Sequence, residues 1–109
     1  MSGEYILKSS GDKFLFNLRS GNHQVILTSQ RYASKASALG GIESVRKNSP
    51  SDDRYGRLTA KDGSHYFNLT ASNGEIIGSS EMYTTAAARD KGIESVKANG
   101  PTASVKDET

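Results

Sequence analysis

An α+β architecture follows from three features of the 109-residue chain. The segment Gly41-Ile42-Glu43-Ser44-Val45 recurs 51 positions on as Gly92-Ile93-Glu94-Ser95-Val96. Residues 14–50 align with 65–101 without a gap, giving 15 identities in 37 positions. Each copy sets short β-patterned stretches before one stretch of helical periodicity, so strands are expected in runs, each run followed by a helix. Half of so short a chain would bury too little apolar surface to be comfortably stable, so the two copies are expected to share one core. The expected organisation is a single domain over 1–109, with repeat 1 at 4–50, repeat 2 at 55–101 and a tail at 102–109. Tandem β(3)-α(-β) units would then form one pseudo-two-fold antiparallel sheet, with two helices packed on one face.

In the first copy, Tyr5-Ile6-Leu7-Lys8 is apolar and β-prone, and Ser9-Ser10-Gly11-Asp12-Lys13 is turn chemistry. Phe14 to Arg19 alternates, with Phe14, Phe16 and Leu18 on one face and Leu15, Asn17 and Arg19 on the other. A turn at Ser20–His23 leads to a third strand over Gln24–Ser29. Such a meander presents one apolar face that needs a cover. Ser34 can cap a helix through its hydroxyl, and Ala38, Ile42 and Val45 form one stripe of it. Glu43, Arg46 and Lys47 fall toward water, and Asn48-Ser49-Pro50 ends the helix, with Asn tolerating the C-terminal turn.

The second copy repeats this order. Strands are expected at Tyr55–Thr59, His65–Thr70 and Glu75–Ser79, then a helix from Thr84 or Thr85 to about Asn99. Asn73-Gly74 predicts a tight hairpin with positive φ at both residues. The linker at 51–54 is short, which favours one merged sheet over two separate units. The tail after Pro101 is polar apart from Ala103 and Val105, and on composition it reads as frayed.

Composition limits the functional classes. The chain has no cysteine, which removes disulfides, thiolate metal sites and cysteine nucleophiles. The first residues lack a basic segment followed by an apolar run, and no stretch nears the ~20 apolar residues of a membrane span. A cytoplasmic protein with no membrane association is therefore expected. Residues 1–51 carry seven Lys/Arg against three Asp/Glu, whereas residues 52–109 carry seven against nine. The excess of cations in the first half hints weakly at an anionic partner. A solvated surface whose charges have drifted accounts for it more simply.

Several positions invite a functional reading. Gly41 and Gly92 sit mid-helix, where glycine costs roughly 1 kcal/mol, and close approach of the helix to the sheet or to the other helix is the favoured reason over a ligand-binding role. Tyr32 and Tyr83 follow Ser29 and Ser80 by three residues. They could form a polar rim at the strand-to-helix corner, repeated about the pseudo-two-fold axis, although stapling the helix start onto the sheet is the simpler role. His23 and His65 do not correspond between copies and have no partner at ligand spacing, so no metal or cofactor is expected. Neither a nucleophile elbow nor a phosphate-binding glycine loop occurs. Arg31, Lys35, Arg46 and Lys47, with Arg19, could form a basic patch for nucleic acid beside Tyr32 or Tyr66.

The duplicated pattern resembles the YegP-like family of small uncharacterised bacterial proteins, a domain of unknown function. Phe16-Asn17-Leu18 and Phe67-Asn68-Leu69, Asn73-Gly74-Glu75-Ile76-Ile77, Ser29 with Tyr32, Ser80 with Tyr83 and both Gly-Ile-Glu-Ser-Val segments carry the likeness, which extends to the tail. Gly21-Asn22-His23 departs from the usual Asn-Gly, so that turn is expected to differ in type. The resemblance implies a sheet in which the two units exchange their last strands, making the tail a strand. It brings no activity with it. The repeat signature is expected to be structural at Phe16, Leu18, Tyr32, Gly41, Ile42, Val45, Phe67, Leu69, Tyr83, Gly92, Ile93 and Val96. The leading expectation is a monomeric, non-enzymatic interaction or structural module for a protein partner. Nucleic-acid binding through the first repeat is the alternative. An enzyme is least favoured, because the repeats share no convergent acid, base and nucleophile.

Overall fold

A computed structural model describes residues 3–109. In chain order the elements are β1 (Glu4–Ser10), β2 (Lys13–Arg19), β3 (Val25–Ser29), α1 (Lys35–Asn48), a 3-10 turn at Asp52–Arg54, β4 (Tyr55–Thr59), β5 (His65–Thr70), β6 (Ile76–Ser79), α2 (Ala86–Asn99) and β7 (Ser104–Asp107). They build one seven-stranded sheet in the order β4-β5-β6-β3-β2-β1-β7. The repeats join at its centre, where Thr28 faces Ser79 and Ser29 faces Gly78 in antiparallel register. Phe16, Leu18, Phe67 and Leu69 turn toward the helices as alternation requires, and meet Ile42, Val45, Ile93 and Val96 in one continuous core.

The two repeats break symmetry where they touch. Leu27 fills the middle of the core, and its counterpart is Gly78. A Cβ on Gly78 would lie 2.7 Å from the Thr28 carbonyl oxygen and 3.1 Å from Leu27 Cγ. Only one leucine fits at the axis. Each repeat also carries a β-bulge, between Leu18 and Arg19 on one side and Leu69 and Thr70 on the other. The extra residues are Ile26 and Ile77, and the bulge turns both into the core, at 5% and 4% exposure.

Helix starts are as the side chains dictate. Ser34 accepts from the Ser37 amide at 3.1 Å, and Thr85, rather than Thr84, accepts from that of Ala88 at 3.0 Å. At the other ends Asn48 and Asn99 remain helical. Their side-chain amides donate back to the carbonyls of Ser44 and Ser95, both at 2.8 Å. The role expected for Asn48 in the C-terminal turn is thereby corrected.

Turn geometry corrects two further expectations. Gly74 has φ +86° whereas Asn73 does not enter the left-handed region, so the hairpin is a three-residue loop with one left-handed residue. Asn73 instead accepts from the Glu75 amide through Oδ1 at 3.0 Å. The first repeat uses the same loop: the Ser20–Gln24 and His23–Ser20 backbone bonds match Ala71–Glu75 and Gly74–Ala71, all at 2.9 Å. His23 takes the left-handed position with φ +69°. The substitution of Asn-Gly thus changes the residue and leaves the turn type alone. The true difference lies in the preceding hairpin, where the two-residue turn at Gly11-Asp12 faces a three-residue loop closed by Gly63.

The frayed-tail reading is overturned, and the tail strand that the resemblance implies is present. Ser104–Asp107 pairs in parallel with Glu4–Leu7, and the Glu108 amide donates to the Leu7 carbonyl at 2.8 Å. Ala103 is fully buried ahead of it, and Asp107 forms an ion pair with Lys35. Polar composition missed this strand because its backbone, rather than its side chains, meets the unpaired edge of β1. The expected exchange is one-sided. In repeat 1 the residues after α1 pass through the 3-10 turn and become β4 itself. The sheet is therefore antiparallel except at its β1–β7 junction.

Candidate interaction clefts

Tyr32 and Tyr83 leave the central strands and are pinned first by backbone. Tyr32 exchanges two hydrogen bonds with Phe14 at 2.7 and 2.8 Å, and Tyr83 does the same with His65. Each phenol then lies along a helix. The Tyr32 ring stacks on Phe16 with centroids 6.3 Å apart. A Cβ on Gly41 would stand 2.7 Å from Tyr32 Cζ and 3.0 Å from Phe16 Cε2; on Gly92 it would stand 2.9 Å from Tyr83 Cζ. The paired glycines thus open a slot for a phenol. Among the described residues neither hydroxyl has a hydrogen-bond partner. Burial raises the pKa of both, helped by Glu75 at Tyr32 and Glu81 at Tyr83.

Two clefts flank these tyrosines. One, of about 350 Å³, lies between the β2–β3 turn (Ser20, Gly21, Asn22, Gln24) and α2 (Ala88, Lys91, Gly92, Ser95), over Tyr83. The other, of about 390 Å³, lies between the β5–β6 turn (Asn73, Glu75) and α1 (Gly41, Ser44), beside Arg31 and Tyr32. The linings correspond: Asn22 with Asn73, Gln24 with Glu75, Tyr83 with Tyr32, Gly92 with Gly41 and Ser95 with Ser44. Each cleft joins the hairpin of one repeat to the helix of the other, so neither repeat could form one alone. Sequence reasoning reached the tyrosines and glycines. It missed Asn22, Gln24, Lys91, Ser44 and Ser95, although the two Ser sit inside the duplicated Gly-Ile-Glu-Ser-Val segment.

The cations singled out for nucleic acid are dispersed. Lys35 pairs with Asp107. Arg46 lies over the Tyr5 ring at 5.2 Å, pairs with Glu43 at 3.2 Å and donates to the Pro101 carbonyl at 3.3 Å. Arg31 lines the second cleft, and Lys47 is exposed near the far end of α1, roughly 18 Å along the axis from Lys35. On the sheet face away from the helices, a polar row crosses the repeat junction. The Thr28 hydroxyl donates to Asn17 Oδ1 at 3.0 Å and that of Ser79 to Asn68 Oδ1 at 2.6 Å. These bonds give the central Asn of both Phe-Asn-Leu motifs a structural role. Among the described residues no three His, Asp or Glu gather as a metal site would need, and no helix is long and apolar enough to cross a membrane.

A duplicated unit of this topology, with composite clefts, defines a tandem-repeat protein of the domain-of-unknown-function family DUF1508, whose model matches residues 9–55 and 60–107. The chain belongs to that family. It is 64% identical over 109 residues to a UPF0339 protein of Bordetella pertussis, covering 100% of this chain and 98% of that one. To UPF0339 protein YegP of Escherichia coli K12 it is 56% identical over 110 residues, covering both completely. The solution NMR structure of the E. coli YegP protein, itself of unknown function, superposes with a TM-score of 0.93 at 55% identity, covering 100% of this chain and 95% of that one. That of a Shewanella oneidensis UPF0339 protein gives 0.92 at 52% identity, covering 98% and 92%. These relatives are uncharacterised bacterial proteins, and neither the family description nor their names assign an activity.

Proposed function

We propose that this protein is a non-enzymatic interaction module that presents two pseudo-equivalent clefts to a protein partner. The single observation that carries this reading is the composite construction of each cleft from the hairpin of one repeat and the helix of the other. Duplication makes two similar sites on one rigid body, and simultaneous engagement of both raises avidity without new contacts. The cleft chemistry supports binding over catalysis. Its groups are amides, hydroxyls and one cation per cleft, with Glu75 in the second. The tyrosine hydroxyls, with pKa values raised by burial, are poor general bases near neutral pH. We take the module to be cytoplasmic, and to be a monomer because each repeat satisfies the other's helix end: the Tyr5 hydroxyl donates to Gly100 O and that of Tyr55 to Ser49 O.

The test is affinity capture from lysate with the wild-type chain and with Gly41→Ala and Gly92→Ala variants, in which the phenols must move. A partner retained by the wild type and lost by a folded variant supports the clefts. Retention of the same partner by both variants moves the interface elsewhere. Recovery of nucleic acid released by moderate salt would favour the rival reading, since phosphate contacts release counterions.

A further inference from the structure

We propose that the cleft between the β2–β3 turn and α2 receives a carboxylate from an acidic segment of the partner, and that the second cleft does not. This rests on the two-cleft reading above. The two sites differ at one decisive position. In the second cleft Glu75 supplies a carboxylate of its own: Asn73 Nδ2 donates to Glu75 Oε1 at 3.4 Å. Its counterpart in the first cleft is Gln24, which has no charge to offer. Asn22 uses its carbonyl oxygen on the Ser20 hydroxyl and the Gln24 amide, which leaves its own NH₂ group without an acceptor among the described residues. Lys91 stands opposite on α2, exposed and without an ion pair among the described residues, where α1 has Gly40. With the free Tyr83 hydroxyl, the lining is rich in donors and carries one cation and no carboxylate. An incoming carboxylate would take the place that Glu75 fills in the other copy and accept from Asn22 and Lys91.

The probes are capped tripeptides Gly-Glu-Gly and Gly-Gln-Gly, titrated at millimolar concentration against the labelled full chain by amide NMR. The Glu peptide is expected to move the amides of Ser20, Gly21, Asn22, Gln24, Lys91 and Gly92, and to leave Asn73, Glu75 and Gly41 in place. The Gln peptide, or the Glu peptide against Lys91→Gln, should bind roughly two- to fivefold more weakly, the worth of one exposed ion pair. Gln24→Glu should close the site by supplying the internal carboxylate. A silent spectrum, equal response to both peptides, or equal shifts in both clefts would overturn the proposal. Inorganic phosphate moving the same amides while the Glu peptide does not would overturn the peptide source. If captured partners engage both clefts but the Glu and Gln peptides behave alike, only the carboxylate inference fails and the two-cleft reading stands.

Discussion

The Tyr5 hydroxyl donates to the carbonyl oxygen of Gly100 at 2.5 Å, so the first strand of repeat 1 closes the C-terminal end of the helix of repeat 2. Its counterpart, Tyr55, donates to Ser49 at the end of α1 at 2.7 Å. Arg46 and Lys97 lie over the two rings at 5.2 and 5.8 Å, each cation coming from the helix of the repeat whose partner the ring caps. Helix carbonyls that would otherwise be orphaned are thus satisfied across the repeat boundary.

Removing either hydroxyl leaves a buried carbonyl short of a partner while keeping the ring. Tyr5→Phe and Tyr55→Phe should each lower unfolding free energy by about 1–2 kcal/mol. Urea denaturation measures this, and a loss confined to one of the two would contradict the equivalence of the repeats.

Stability should also fall in alkali. Burial pushes both hydroxyls well above the ordinary tyrosine range; at Tyr5 Arg46 opposes this, and at Tyr55 Glu94 adds to it. A pKa raised on folding contributes stability that is complete below the unfolded value of about 10 and is lost as pH rises beyond it. The urea midpoint should therefore drop steeply above pH ~10. In a Tyr5→Phe/Tyr55→Phe double variant the slope should shrink without vanishing, because the hydroxyls of Tyr32 and Tyr83 are shifted the same way.

Adjacent glycines in α1 should respond with opposite signs. Gly40 has nothing within 4 Å of an added Cβ, so Gly40→Ala should gain about 0.5–1 kcal/mol of helix propensity. Gly41→Ala must displace Tyr32, and overpacking of about 1–3 kcal/mol outweighs that gain. In repeat 2, Gly92→Leu should be worse still. Thermal melts of the three variants decide this, and a raised Tm for Gly92→Leu would refute the phenol slot.

His23 holds a left-handed conformation that glycine adopts freely at the equivalent Gly74. His23→Gly should stabilise the protein by about 0.5–1 kcal/mol after the greater freedom of glycine in the unfolded chain is set against the relieved strain. An unchanged or lowered urea midpoint would mean that the His23 side chain contributes contacts of its own.

Alternation and duplication made most of this fold readable. Phe16, Leu18, Ile42 and Val45 are buried where periodicity puts them, and a gapless alignment transfers each position to the second copy. What remained hidden depends on backbone. The composition of the tail gave no sign that Ser104–Asp107 would complete an open strand edge, which only the family resemblance implied, and alternation alone would send Ile26 and Ile77 to the wrong face, since a bulge leaves no mark in hydropathy. The clefts were legible only in part. Tyr32 and Gly41 stood out through repetition, but Asn22 and Lys91 come from opposite repeats and meet only because the sheet is shared.

Because β7 lies beside β1, a strand that leaves the ribosome after both helices closes the edge of one made before either. Until β7 emerges β1 has a bare edge, and Tyr5 lacks its acceptor at Gly100 until that residue has emerged. A nascent chain stopped before Pro101 would have strand edges free at both β1 and β4, which invites end-to-end joining of copies. Translation through Ser104–Asp107 therefore replaces the seven-residue edge of β1 with that of a short, exposed, charged strand, which resists such joining.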